Sequence, residues 1–138
     1  MQEKFYLDAC VWRDFFEDRQ NHIRPLGELV FQFLKKCRKE KHKIIVSDIV
    51  LKELHKYISQ EKTNVFLSSF SDLIITEKHS QKQLEEAETY WKKTKKKFPL
   101  FDILHSIIAR DSKAILVSRD KHFYEISIVK MFFPEELL

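Results

Sequence analysis

Ile44-Ile45-Val46-Ser47-Asp48-Ile49-Val50-Leu51-Lys52-Glu53-Leu54 carries two structural signals in one short span. Its first three residues form an uninterrupted apolar, β-branched run, the pattern of a strand buried on both faces. Ser47 then offers a hydroxyl to cap a helix whose apolar positions Val50, Leu51, Leu54, Tyr57 and Ile58 recur at helical spacing. A strand that turns directly into a helix is half of a βαβ unit. The segment therefore predicts parallel strands joined by helical crossovers.

The same alternation continues on both sides. Residues 4–8 read as a first strand, followed by a short helix through Trp12, Phe15 and Phe16 and a polar stretch from Glu17 to His22. Pro25 suits the first turn of a longer helix carrying Leu26, Leu29, Val30, Phe33 and Leu34, with a basic tail from Lys35 to Lys43. That tail complements the negative end of the helix dipole. Further on, a helix is expected over Thr63 to Asp72 with Val65, Phe66, Leu67 and Phe70 inward, then a strand at Leu73-Ile74-Ile75. Ser80 to Phe98 is strongly helical in propensity, and Pro99 opens another helix with Phe101, Leu104, Ile107 and Ile108 inward. Ala114 to Val117 reads as a fourth strand, and Ile126 to Phe132 holds a fifth. The fold class this implies is α/β, a three-layer α/β/α sandwich around a short parallel sheet of four or five strands. With no repeat and no linker, residues 1–138 are expected to form one domain.

Composition narrows the chemistry. The chain is 43% hydrophobic and 33% charged, which fits a folded globular protein. A single glycine, Gly27, excludes a glycine-rich phosphate loop or a dinucleotide fingerprint. Cys10 and Cys37 lack metal-ligand spacing and read as small, partly buried residues, with nothing to favour an oxidising compartment. The six histidines likewise share no zinc-ligand spacing. No signal-peptide core or membrane-length apolar run is present, so a cytoplasmic location is expected.

Four acids stand at the edges of the apolar segments. Asp8 closes Phe5-Tyr6-Leu7, and Glu53 lies just past Ile44-Ile45-Val46. Asp102 opens a helix, and Asp120 follows Ile115-Leu116-Val117-Ser118-Arg119. Each alone has a plain structural explanation: Asp8 in a turn, Glu53 as a solvated helix residue, Asp102 in a first helical turn and Asp120 as a cap. In a parallel sheet, however, all four share the carboxyl edge, where open α/β sheets bind ligands. Carboxylates gathered there repel one another unless a cation sits between them. A hard divalent metal with oxygen ligands, Mg²⁺ or Mn²⁺, is the expected guest. With a net charge of +4 on the whole chain, basic residues must cluster elsewhere, as suits a polyanionic substrate.

Four blocks, Phe5-Tyr6-Leu7-Asp8, Val46 to Leu54, Asp102 to Ala109 and Ile115 to Phe123, together resemble the PIN domain, the ribonuclease fold of VapC-type toxins. The tail Phe133-Pro134-Glu135-Glu136 is also similar to that of many members. The resemblance implies that Asp8, Glu53, Asp102 and Asp120 bind metal and that Ser118 is the hydroxyl beside the last of them. It further implies cleavage of single-stranded RNA, a small antitoxin protein as partner, and a homodimer. Many members carry a further acid where this chain has His122, which bears on a second metal.

Lys92, Lys93, Lys95, Lys96 and Lys97 precede the Asp102 helix and read either as an RNA-gripping edge or as a solvated helix end. Arg119 either contacts phosphate or pairs with an acid. Trp12, Phe15 and Tyr90 either stack on bases or belong to the core, and Trp12, Phe15 and Phe16 would suit a partner contact if exposed. His105 is expected to pack behind the site, and Asp48 has only a loose place near it. Two other readings stand beside the nuclease: a catalytically silent PIN-like binding module, and a small-phosphoester hydrolase. The second is disfavoured because Cys10 occupies the place of the second aspartate used by dehalogenase-type phosphatases.

Overall fold

The computed structural model of the protein describes residues 2–19 and 24–138, so His22 and the end of the polar stretch before Pro25 lie outside it. Among the described residues the strands are β1 (Lys4–Leu7), β2 (Lys43–Ser47), β3 (Ile74–Glu77), β4 (Ile115–Val117) and β5 (Met131–Phe132). The helices are α1 (Ala9–Phe16), α2 (Leu26–Lys39), α3 (Asp48–Leu54), α4 (Gln60–Ser69), α5 (Gln81–Lys93), α6 (Leu100–Asp111) and α7 (His122–Ile126), and a 3-10 helix at Pro134–Leu137 ends the chain. All strand pairs are parallel, in the order β3-β2-β1-β4-β5. The expected α/β architecture is the observed one.

Strand β1 is central, and its register pairs Tyr6 with both Ile45 and Leu116. Phe5, Tyr6 and Leu7 are all buried although successive side chains point to opposite faces, so both faces of the sheet are covered. Phe5 packs edge-on against Phe33 of α2, and Tyr6 on the other face meets His105 of α6. The apolar stripe of α6 is almost wholly buried, from Ile103 to Ala109. Gly27 allows α1 and α2 to approach: a Cβ there would lie 2.7 Å from the carbonyl oxygen of Asp14.

Local chemistry moved several boundaries. Ser47 caps α3 as expected, accepting from the Val50 amide, but the helix ends at Leu54, leaving Tyr57 exposed. Ser59 caps α4, so that helix runs over Gln60–Ser69 rather than from Thr63 to Asp72. In that frame Phe66 is buried while Val65 points outward and is 62% exposed, contrary to expectation. Helix α5 stops at Lys93, because Lys95 and Lys96 take left-handed backbone angles. The expected strand over Ile126 to Phe132 shrinks to Met131–Phe132, since His122–Ile126 winds into α7. Trp12 is a core residue, 1% exposed and stacked edge-on against Phe66, and Phe15 and Phe16 are partly buried beside it. The three therefore do not form an exposed aromatic set. Both cysteines are free.

Candidate metal centre

The carboxyl ends of β1 and β4 lie side by side at the place where the strand order reverses direction. Asp8 leaves β1 there and caps α1, with its Oδ1 accepting from the Ala9 amide at 2.6 Å. Its Oδ2 accepts from the Ser118 hydroxyl at 2.9 Å. The Ser118 oxygen in turn accepts from the Asp120 amide at 3.0 Å. One buried serine thus ties the first acid to the loop that holds the last.

Two groups of ligand-type side chains converge at this edge. In the first, His105 Nε2 contacts Glu53 Oε1 and lies 3.8 Å from Asp8 Oδ1. In the second, His122 Nδ1 lies 3.3 Å from Asp120 Oδ1 and 3.6 Å from Asp102 Oδ2. Within each trio, Asp8–Glu53–His105 and Asp102–Asp120–His122, one ligand atom per residue falls within 4.8 Å of the others. Asp102 and His105 sit one turn apart on α6, which joins the two trios.

Electrostatics mark the edge as short of positive charge. Burial, followed by the charges of Asp8 and Asp120, pushes the Asp102 carboxyl up to about 6. Burial opposes a proton on His105, but its hydrogen bond to Glu53 and the charges of Asp8, Glu53 and Asp102 outweigh it and raise its pKa. Burial and the Asp8 charge raise the Cys10 thiol, whose Sγ lies 3.4 Å from Asp8 Oδ2, so the sulfur stays an uncharged neighbour. The donor set is dominated by carboxylate oxygens, and this fits a hard divalent cation such as Mg²⁺ or Mn²⁺.

The flanks differ in what they offer. Lys92 and Lys93, in the last turn of α5, and Lys95, Lys96 and Lys97, in the turn between α5 and α6, are all exposed. Lys97 reaches Glu125 of α7 at 3.3 Å, and buried Phe98 lies 6.2 Å from the His122 ring, so this turn adjoins the second trio. Lys52, which sequence reasoning passed over, is exposed beside Phe101 of α6. Arg119 is turned away from solvent, donating to Asp14 at 2.6 Å and Glu135 at 2.9 Å, which is the acid-pairing alternative. Tyr90 donates to the Ile126 carbonyl, and Asp48 is occupied by the backbone and ring of His79. From sequence alone Tyr6 is simply a strand residue, yet its hydroxyl bridges Ser47 and His105. Its signal in the sequence was a polar tip in an otherwise apolar run, which has no meaning until α6 is placed over β1.

The PIN domain family model matches residues 5–129. The chain belongs to the PIN domain family. Its fold is shared by solved structures at low identity. VapBC2 from Rickettsia felis bound to a promoter DNA fragment is 19% identical with a TM-score of 0.68, covering 94% of this chain and 98% of that one. FitAcB from Neisseria gonorrhoeae is 20% identical with a TM-score of 0.62, covering 94% and 97%. A toxin–antitoxin complex from Klebsiella pneumoniae is 19% identical at the same TM-score and coverage. No curated protein sequence matches the chain significantly. PIN domains are generally nucleases, and the acidic edge of this one could hold a metal ion.

Proposed function

We propose that this PIN domain is a metal-dependent endoribonuclease that cuts single-stranded RNA and acts as the toxin of a toxin–antitoxin pair. The observation that carries the reading is the meeting of Asp8, Glu53, Asp102 and Asp120, from four different segments, at the carboxyl edge of the sheet. Mg²⁺ or Mn²⁺ held by Asp8, Asp102 and Asp120, with Glu53 reached directly or through water, would supply charge neutralisation and an acidified water. Ser118 keeps Asp8 and the Asp120 loop in register for that role. Glu53 is the carboxylate assigned to orient or deprotonate the attacking water. Lys92, Lys93, Lys95, Lys96 and Lys97 are assigned to the RNA backbone, where positive charge contributes affinity without reading sequence. Arg119, with both acids on its guanidinium, serves the fold before it serves the substrate.

The partner assignment is supported by the similar structure from Klebsiella pneumoniae, which is a toxin–antitoxin complex. A small antitoxin, a homodimer and a cytoplasmic location complete the reading. Among the described residues no helix is long and apolar enough to cross a membrane.

Labelled single-stranded RNA incubated with the protein and Mn²⁺ or Mg²⁺, and then with EDTA, tests the activity. Cleavage should require the metal and fall by about 100-fold or more in Asp8→Asn and in Asp120→Asn. A protein that neither binds Mn²⁺ nor cuts RNA would instead be a silent binding module.

A further inference from the structure

Beneath the acidic edge runs a buried chain of polar atoms that the activity does not by itself require. Ser47 Oγ, at the end of β2, accepts from the Val50 amide at 3.2 Å and lies 2.7 Å from the Tyr6 hydroxyl. The Tyr6 hydroxyl lies 2.6 Å from His105 Nδ1, and His105 Nε2 contacts Glu53. Ser47, Tyr6 and His105 are all 0% exposed, so no solvent supplies a missing partner.

Counting protons along this chain decides which ring nitrogen of the neutral histidine carries the proton. Ser47 Oγ already accepts from an amide, and among the described residues its own proton has one acceptor within reach, the Tyr6 oxygen. Tyr6, receiving that proton, gives its own to His105 Nδ1. A neutral imidazole bears one proton, which must then sit on Nε2 and point at Glu53. The opposite assignment would leave Nε2 bare for a metal and put the proton on Nδ1. Tyr6 would then donate to Ser47, and the buried Ser47 proton would have no acceptor. A bare Nε2 would also face a carboxylate oxygen lone pair to lone pair.

We propose that Ser47 and Tyr6 are positioning residues that fix His105 as the Nε2–H tautomer, so that His105 holds Glu53 in place by a hydrogen bond and is not a metal ligand. The inference rests on the nuclease reading for the role of Glu53, while the tautomer itself does not depend on it. The Asp8–Glu53–His105 trio therefore contributes two carboxylates to a cation and one oriented donor to a carboxylate. The device belongs to this chain's own residues: a tyrosine in mid-strand, a serine at a helix cap and a histidine one turn past Asp102.

The first measurement is the imidazole ¹⁵N spectrum of the Mg²⁺-loaded protein at alkaline pH, with His105→Gln used to assign the resonance. A proton on Nε2 with Nδ1 bare is expected, and a proton on Nδ1 overturns the proposal. The second compares Tyr6→Phe, His105→Gln and His105→Leu by Mn²⁺ titration and RNA cleavage. Glutamine carries an N–H donor near the Nε2 position but no ligating nitrogen. It should keep wild-type Mn²⁺ affinity and most of kcat, whereas Tyr6→Phe and His105→Leu lose about 10-fold or more in kcat at unchanged KM. Loss of Mn²⁺ affinity in His105→Gln as large as that in Asp8→Asn would mean that His105 is a ligand. Were the wild-type protein inert toward RNA, the nuclease reading would fall, and the tautomer and Mn²⁺ arms would still decide the state of His105.

Discussion

A buried carboxylate that faces two others is costly to ionise, and Asp102 stands in that position, with its pKa raised to about 6. In the unfolded chain the same group titrates near the ordinary aspartate value of 3.8. The folded, metal-free protein therefore binds a proton here more tightly than the unfolded chain. The stability this gives is fully present below the unfolded pKa and is lost as pH rises through about 6. The lost stabilisation is on the order of 3 kcal/mol. Asp102→Asn should accordingly raise the melting temperature of the EDTA-treated protein at neutral pH while abolishing RNA cleavage. The gain should shrink toward about pH 4, where wild-type Asp102 is already protonated. Adding Mn²⁺ at neutral pH should stabilise the wild type and leave the variant unchanged, which thermal melts with and without metal would show. At this scale the sequence was legible where a residue type is scarce in its setting. An acid at the end of an apolar strand, such as Asp8, is a visible anomaly. His105 was harder to place, because a histidine inside a helical apolar stripe resembles packing until Tyr6 and Glu53 are brought to its two nitrogens.

Elements were legible to the extent that local chemistry defines them. Ser47 and Pro99 marked real helix starts, and the apolar runs at β1, β2 and β4 are strands. Misjudged boundaries followed from weaker signals: Ser59 caps α4 ahead of the expected start, and of the apolar positions of this helix Phe66 is buried while Val65 faces outward. The end of α5 was missed for a different reason, since lysine is a good helix former and nothing in the run from Lys92 to Lys97 forbids continuation. The structure breaks it with left-handed residues at Lys95 and Lys96, and this break makes the lysines a compact exposed turn beside the second acidic trio. A helix continued to Phe98 would have spread them around its circumference. Replacing Lys92, Lys93 and Lys95 by glutamine, outside the acidic cluster, should weaken single-stranded RNA binding by about 10-fold or more at low salt. It should also flatten the slope of log affinity against log salt by about 2, given roughly 0.7 per contacted phosphate. Fluorescence anisotropy across a salt series would read both, and Mn²⁺ affinity should not move. An unchanged slope would identify the turn as a solvated helix end.

Over the whole molecule, one ionic network ties the first helix to the last turn of the chain. Asp14 of α1 is 0% exposed and is held by Arg19 at 2.8 Å and by Arg119 at 2.6 Å. Arg119, in the loop that carries Asp120, also holds Glu135 of the C-terminal 3-10 helix, which Arg24 contacts from the other side. The network holds Arg119, which stands between Ser118 and Asp120, and so fixes the backbone on which those two are mounted. Sequence order offered acid pairing as one alternative for Arg119 but could not name the partners, because Arg119 lies 105 residues from Asp14 and Arg24 lies 111 from Glu135, and each has an ordinary role alone. Burial works against the charge on Glu135, but its hydrogen bond to Arg119 and the Arg119 and Arg24 charges hold its pKa below the usual carboxylate value. A lowered folded pKa contributes stability above the unfolded pKa and loses it as pH falls through the folded value. Glu135→Gln should therefore cost about 2 kcal/mol at neutral pH, a fall of about 5–8 °C in melting temperature. The difference from wild type should close as pH falls through the acid range where Glu135 takes up its proton. Chemical denaturation in EDTA at neutral and acid pH separates this clasp from the metal centre, since Asp102→Asn moves stability in the opposite direction at neutral pH. If Glu135→Gln were neutral for stability yet impaired cleavage, the network would be holding the Asp120 loop in its working position without stabilising the fold.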